Sequence, residues 1–161
     1  LLKGSQARLV LAGSGDLARF WPGPLPAGVE VRNRLIGDEE ALDLFQRCAL
    51  LVLPYTGATQ SALIPAAYYF HKPVIASRSG ALPEYVREGI TGWLVEPGNP
   101  EALAECMQEA LAAPDRLQRM GEAGRAWYDE QRANEEEQLL LLYEHLAQGV
   151  RRTGSGKLLK V

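Results

Sequence analysis

Thr59, Gln60 and Ser61 stand between a short apolar run and an apolar, helix-sized segment, within the stretch PYTGATQSALIPAAYYFHKPVIAS at 54–77. Proline does not sit deep inside a helix, so Pro65 places the helix start within a few residues before it. A start near Ser61 leaves the backbone amides of Ser61, Ala62 and Leu63 without intrahelical acceptors. Such a helix end attracts an anion, and phosphate is its usual guest. Thr59, Gln60 and Ser61 can add side-chain hydrogen bonds. The competing reading is that Ser61 is simply an N-cap. No charged side chain occurs from Pro54 to Phe70, so chemistry here would rest on amides and hydroxyls.

Other residues could serve the same ligand. A Ser77-Arg78-Ser79-Gly80 turn precedes a short helix carrying Glu84. Arg78 is placed to meet a negative ligand. Glu84 would accept hydrogen bonds from a ligand or, the commoner role, cap a neighbouring loop. Gly13-Ser14-Gly15-Asp16 is too short for the dinucleotide pattern Gly-x-Gly-x-x-Gly, where Ala18 takes the third glycine position. The TGSGK run at 153–157 fails as a phosphate loop, because Ser155 occupies the lysine position after Gly149 and Gly154. His71 suits a helix C-terminus, and His145 reads as exposed on a terminal helix. No carboxylate pair, Ser-His-Asp set or metal-ligand cluster emerges.

The elements that must position these residues alternate. Apolar runs at 8–13, 29–33, 49–55, 73–77 and 92–97 read as strands. Those at 49–55 and 73–77 are almost continuously apolar, which suits strands buried on both faces of a parallel sheet. Helix patterns lie between and after them. One runs from Asp38 to Cys48, with its apolar stripe at Ala41, Leu44, Phe45 and Cys48. A second starts at Asn99, an N-cap before Pro100, with a stripe at Leu103, Cys106, Met107, Ala110 and Leu111. Two further patterns align Leu117, Met120, Gly124, Trp127 and Tyr128, and then Leu139, Leu142, Tyr143 and Leu146. Core packing is the expected role of every stripe. The tail 150–161, Val150 followed by RRTGSGKLLKV, reads as a flexible basic end.

Alternating strands and helices imply a doubly wound α/β domain, a Rossmann-like parallel sheet flanked by helices. Such sheets bind ligands beyond the C-terminal ends of their strands. Here those ends are followed by Gly13-Ser14-Gly15, Asn33-Arg34, Tyr55-Thr56-Gly57 and Ser77-Arg78-Ser79-Gly80, which together would form a polar crevice.

At 161 residues the chain is long enough for one domain with a full core. A net charge of −3 gives no electrostatic footprint for nucleic acid. Cys48 and Cys106 read as buried reduced thiols. No apolar run approaches membrane-span length, and no signal peptide is evident. The first residue, Leu1, falls in mid-element, so the chain reads as part of a larger protein.

The segments RLVLAGSGDL, ALLVLPY and AYYFHKPVIASRSGALPEYVREGITGWLVEPGNPEALAECMQEAL, in that order, resemble the C-terminal domain of group 1 glycosyltransferases over residues 8 to 147. The resemblance implies the C-terminal half of a GT-B fold. Residues 1–149 would be a Rossmann-like donor-binding domain, lacking its first strand, the basic Arg and Lys upstream of it, and the N-terminal acceptor-binding domain. It implies a hexosyl transfer from a UDP- or GDP-sugar with retained anomeric configuration, without a cofactor or metal, in the cytoplasm. This chain alone would be inactive. Any peripheral membrane contact would run through the other domain.

Donor-binding residues implied by the crevice and the resemblance are Gly13, Gly15, Arg34, Leu35, Thr59, Gln60, Ser61, Ala62, Leu63, Arg78, Gly80 and Glu84. Arg34 and Leu35 would lie near the nucleotide base, and the 59–62 loop would give amides to the diphosphate. The terminal helix, 134–147, would cross back toward the other domain. In this family two glutamates usually flank that loop. Here their positions hold Ala58 and Ala66, so sugar and ribose recognition would fall to Gln60 or Thr59. His71, Ala81 and Asn99 are milder departures, replacing two glycines and an aspartate.

Three alternatives compete with this reading, and the first is argued against by the sequence. A phosphate-accepting receiver domain needs an Asp at the end of a middle strand, where this chain has Pro54-Tyr55. A nucleotide-sugar epimerase of the same fold would keep more carboxylates and a histidine at the crevice. A non-catalytic domain that has lost donor binding is compatible with the two missing glutamates.

Overall fold

The computed structural model describes residues 7–16 and 21–149. Ala18 and the tail from 150 onward, including TGSGK, lie outside them.

All five expected strands form, in shorter versions: β1 (Leu9–Ala12), β2 (Val29–Arg32), β3 (Leu51–Leu53), β4 (Val74–Ser77) and β5 (Gly92–Val95). The helices are α1 (Asp38–Arg47), α2 (Leu63–Tyr69), α3 (Leu82–Tyr85), α4 (Pro100–Ala112) and α5 (Pro114–Gly149). Every strand pairing is parallel. The strands form two sheets, β1-β2 and β3-β4-β5. Leu9 sits opposite Val29 in the first, while Leu51, Val74 and Gly92 are in register across the second. β1 and β3 thus each keep one edge without a strand partner among the described residues. The side chains of β4 are buried throughout, as its unbroken apolar run requires.

The chain divides into two compact units, Leu1–Arg125 and Ala126–Val161. The core of the first joins Ile75, Trp93 and Val95 of the second sheet to Ala110 of α4 and to Leu117 and Met120 of α5. The α4 stripe packs as expected, with Leu103, Cys106 and Met107 against this cluster. Asn99 caps α4: its Oδ1 accepts from the Ala102 N–H at 3.0 Å. Phe45 of α1 stacks on Phe70 with centroids 5.6 Å apart, and the Lys72 ammonium donates to the Gln46 carbonyl at 3.0 Å.

Two helix expectations are corrected. The patterns from 114 and from 135 belong to one 36-residue helix, α5. Nothing between them breaks a helix, since AspGluGlnArgAlaAsnGluGluGlu contains neither Gly nor Pro. The second stripe is not core: Leu139, Leu142, Tyr143 and Leu146 are each more than half exposed. Helical periodicity puts these residues on one side of α5, but no described layer covers them.

Helix α2 ends in a left-handed cap. The His71 N–H donates to the Tyr68 carbonyl at 2.9 Å and the Lys72 N–H to the Ala67 carbonyl at 2.8 Å. This is the hydrogen-bond pair of a Schellman motif, whose C′ residue is normally glycine. His71 takes that position at φ 56°. A side chain in this conformation costs about 1 kcal/mol. His71→Gly is therefore expected to raise unfolding free energy by about 1 kcal/mol in urea titration, the gain in cap geometry exceeding the added chain entropy.

Candidate functional site

The loops after β3 and β4 are fastened together. The Ala58 N–H donates to Ser79 Oγ at 3.1 Å, and the Ala81 N–H donates to the Thr59 carbonyl at 3.1 Å. Gly80 lies between these bonds at φ 54°, and a Cβ there would stand 1.7 Å from the Ala58 carbonyl oxygen. Only glycine allows both the left-handed conformation and this approach. Sequence reading placed Gly80 in the crevice but missed Ser79 as a clasp. A serine beside a strand end carries a weak signal of that kind, because its hydroxyl readily takes a loop amide.

The clasp leaves a row of amides open. Helix α2 begins at Leu63 with Ala62 as its N-cap, two residues later than expected. Ser61 supplies both early acceptors: its Oγ takes the Leu63 N–H at 3.3 Å and its carbonyl takes the Ile64 N–H at 3.4 Å. Leu63 is thereby removed from the set of free amides. Those without a partner among the described residues belong to Thr59, Gln60, Ser61 and Ala62. Thr59, Gln60 and Ala62 are exposed.

The loops after β1 and β2 are joined too. Asn33 Oδ1 accepts from the Gly15 N–H at 2.9 Å, and the Gly13 N–H donates to the Arg32 carbonyl at 3.2 Å. Asn33 therefore organises the Gly13-Ser14-Gly15 turn. Arg34 is not a free cation. Its guanidinium grips Glu40 with both terminal nitrogens, at 2.6 and 2.8 Å. Leu35, next to it, is 86% exposed. Arg78 is taken as well, by Glu88 at 3.0 Å and Glu96 at 3.4 Å. Arg78 was expected to meet a negative ligand and Arg34 to lie near the nucleotide base; both are held by carboxylates. Glu84 goes the other way. It caps nothing, and its exposed carboxylate has no partner among the described residues.

A chain of charges runs Arg8–Glu30–Arg32–Glu40–Arg34. Arg34's hydrogen bond, with Arg32's behind it, holds the Glu40 carboxyl below the usual carboxylate range, against a smaller opposing effect of burial. Arg32's hydrogen bond does the same for Glu30. A carboxyl whose pKa is lowered on folding stabilises the fold above its unfolded pKa, and that contribution is lost as pH falls through the folded value. The 30–40 segment is expected to loosen below about pH 4. Amide protection at residues 30–37, measured against the intrinsic exchange rate at each pH, should fall there, and that pH dependence should shrink in Glu40→Gln.

Burial, with Glu109 and Glu88 adding to it, pushes the Cys106 thiol up to about 11. Burial also raises Cys48. Both are free thiols, and neither is poised as a nucleophile at neutral pH. Tyr68 is wholly buried, its hydroxyl bound to Thr91 Oγ1 at 2.7 Å and donating to the Tyr85 carbonyl at 3.0 Å. Among the described residues no helix is long and apolar enough to cross a membrane.

Residues 1–113 match the family of glycosyl transferases group 1. The chain belongs to this family. It is 31% identical over 124 residues to D-inositol 3-phosphate glycosyltransferase of Streptomyces griseus, covering 77% of this chain and 24% of that protein. Over 55 residues it is 44% identical to the GDP-mannose-dependent alpha-(1-6)-phosphatidylinositol monomannoside mannosyltransferase of Mycolicibacterium smegmatis, covering 34% of this chain and 14% of that one. The chain thus spans about a quarter or less of the length of these curated relatives. Among solved structures it resembles sucrose-phosphate synthase of Thermosynechococcus elongatus, with TM-score 0.71, 26% identity, and coverage of 88% of this chain and 39% of that one. It also shares the fold of Anabaena HepE in complex with UDP, with TM-score 0.70, 18% identity, and coverage of 86% and 41%. This group 1 glycosyltransferase domain therefore has the α/β architecture of the GT-B proteins. Ala58 spends its N–H on Ser79, and Ala66 lies within α2.

Proposed function

We propose that this domain binds the nucleotide-sugar donor of a retaining hexosyltransferase. The observation that carries the reading is the run of open amides at Thr59–Ala62, clasped beside the C-terminal ends of β3 and β4 in a group 1 glycosyltransferase domain. Backbone amides aimed at a departing diphosphate stabilise its growing charge without reorganising. Gly80 keeps them in place, Gly13 and Gly15 let a ligand approach closely, and Glu84 offers a free acceptor for ribose or sugar hydroxyls. Arg34 and Arg78 act through their carboxylate partners, holding loops rather than gripping phosphate. Thr59 and Gln60 take over the hydroxyl recognition that Ala58 and Ala66 cannot provide. The acceptor would bind an N-terminal domain of the same protein.

The open edges of β1 and β3 support one further part of this reading. A parallel strand between them would join the two sheets in the order β2-β1-x-β3-β4-β5, and the relatives' greater length leaves room for one outside this chain.

UDP suits the test because HepE holds it, and GDP-mannose because the mycobacterial relative depends on it. In the full-length protein, Thr59→Ala with Gln60→Ala should weaken binding of one of these donors about tenfold or more, the loss of roughly one to two hydrogen bonds. Unchanged affinity in the double variant would remove both residues from the site. A protein that binds no donor at all would favour the non-catalytic alternative.

A further inference from the structure

An open cavity of about 360 Å³ lies at the end of the sheet away from the Thr59–Ala62 amides. Gly89 and Ile90, just before β5 begins at Gly92, line it with Arg116, Arg119, Met120 and Ala123 of α5. Because β3, β4 and β5 run parallel, the N-terminal end of β5 is the far end from the loops that follow β3 and β4. Its volume falls within the range of about 300–1,000 Å³ usual for small-molecule sites.

Donors without acceptors gather here. Arg119 is exposed and makes no hydrogen bond or ion pair among the described residues. The carboxylate three residues on, Glu122, accepts from Gln118 instead. Arg116 gives Nη1 to Glu109, but its Nη2 and Nε have no acceptor among the described residues. The same guanidinium lies over the Trp93 ring, 5.1 Å from its centroid. Trp93 Nε1 is the one buried side-chain polar atom without a hydrogen-bond partner among the described residues. A locality with donors to spare favours a ligand that brings acceptors.

The apolar lining is presented firmly. Ile90 is 57% exposed, yet its turn is fixed. The Arg87 carbonyl accepts from the Ile90 and Thr91 N–H groups, both at 2.9 Å, and the Gly89 N–H donates to the Gly92 carbonyl at 2.8 Å. Buried Thr91 takes the Arg87 N–H on its Oγ1 at 3.0 Å. Met120, 2% exposed, adds apolar surface to the cavity.

Charge sets the valence of the ligand. Glu109 compensates Arg116, so the lining carries the single unpaired charge of Arg119. A phosphate monoester brings about one and a half to two negative charges at pH 7, and Glu109 would repel the excess. A carboxylate or a phosphodiester brings one, and its two oxygens suit the arginine fork.

We propose that this cavity binds a monoanionic group on an apolar stem, the anion on Arg119 and the free nitrogens of Arg116, the stem on Ile90 and Met120. The site is separate from the Thr59–Ala62 amides and does not depend on the donor reading.

Titration of the full-length protein with hexanoate and with dibutyl phosphate tests it, read by the indole N–H resonance of Trp93, assigned with Trp93→Phe. Hexanol, hexylammonium and acetate are the controls: stem alone, wrong charge, and anion without stem. A saturable shift is expected with at least one of the two monoanions, in the presence of excess UDP and GDP. Arg119→Gln, at an exposed position, should weaken it about tenfold through loss of a charge-assisted hydrogen bond. Ile90→Ser should weaken it about threefold through lost apolar contact. Tighter binding of dibutyl phosphate would identify a phosphodiester such as a phospholipid headgroup as the source, and tighter binding of hexanoate a free carboxylate. No saturable shift up to about 50 mM, which reaches affinities of millimolar order and weaker, would overturn the proposal. So would hexanol, hexylammonium or acetate binding as tightly as the monoanions, displacement by nucleotide, or full affinity in both variants. Loss of nucleotide binding alone would count against the donor reading and leave this site standing.

Discussion

Gly80→Ala should reduce donor affinity of the full-length protein by about 30-fold or more while the protein remains folded. The new Cβ would lie 1.7 Å from the Ala58 carbonyl oxygen and 3.2 Å from that of Thr59, both backbone atoms that no rotamer change can move. The loops must separate, and the bonds from Ala58 to Ser79 and from Ala81 to Thr59 lengthen or break. The left-handed backbone adds about 1–2 kcal/mol for a residue with a side chain, and overpacking adds about 1–3 kcal/mol. Part of that total is absorbed as lost stability. About 2 kcal/mol spent on displacing the Thr59–Ala62 amides suffices for the expected loss. Ser79→Ala removes one clasp without a clash and should cost less, about 1 kcal/mol. Calorimetric titration of both variants, with circular dichroism as the folding control, checks the order. Equal affinity in Gly80→Ala and the parent would mean the amides do not hold the donor.

The second large effect is on stability. Gly121→Ala should destabilise the fold by about 3 kcal/mol, at the upper end for overpacking because the neighbour is backbone. Its Cβ would stand 2.0 Å from the His71 carbonyl oxygen. One turn later, a Cβ at Gly124 would meet the Tyr68 ring at 2.4 Å. That ring cannot retreat: Tyr68 is fully buried and its hydroxyl is tied to Thr91 and Tyr85. The two glycines let α5 approach the end of α2, immediately ahead of the buried strand β4. Gly23→Ala, where a Cβ meets nothing within 4 Å, is the control and should change stability by less than about 0.5 kcal/mol. Urea unfolding of the three variants gives the comparison.

Much of the fold could be read from sequence because its signals are local. Apolar runs marked all five strands, and Asn99-Pro100 marked the start of α4. What depended on distant partners could not be read. The hydrophobicity of RLVLAG and ALLVLPY specifies strands but not which edge pairs with which, so the division into β1-β2 and β3-β4-β5 was not visible. The stripe at Leu139–Leu146 defines a helix side but not whether anything lies over it. The site shows the same divide. Loops rich in Gly, Ser and Asn were identified from strand ends and turn chemistry. The state of each charge was not, because Arg78 finds Glu88 and Glu96, and Arg34 finds Glu40, only once the chain folds. The helix start at α2 was misplaced because Ser61 uses its side chain and carbonyl on Leu63 and Ile64, which moves the free amides toward Thr59.

The central claim is that backbone amides of Thr59, Gln60, Ser61 and Ala62 receive a nucleoside diphosphate. Amide hydrogen exchange of the full-length protein, with and without saturating UDP- or GDP-sugar, tests it most directly. The account predicts that donor slows exchange at 59–62 by about tenfold or more, with little change at residues 30–37, where the Arg34–Glu40 pair already holds the loop. Donor binding that leaves exchange at 59–62 unchanged would contradict it.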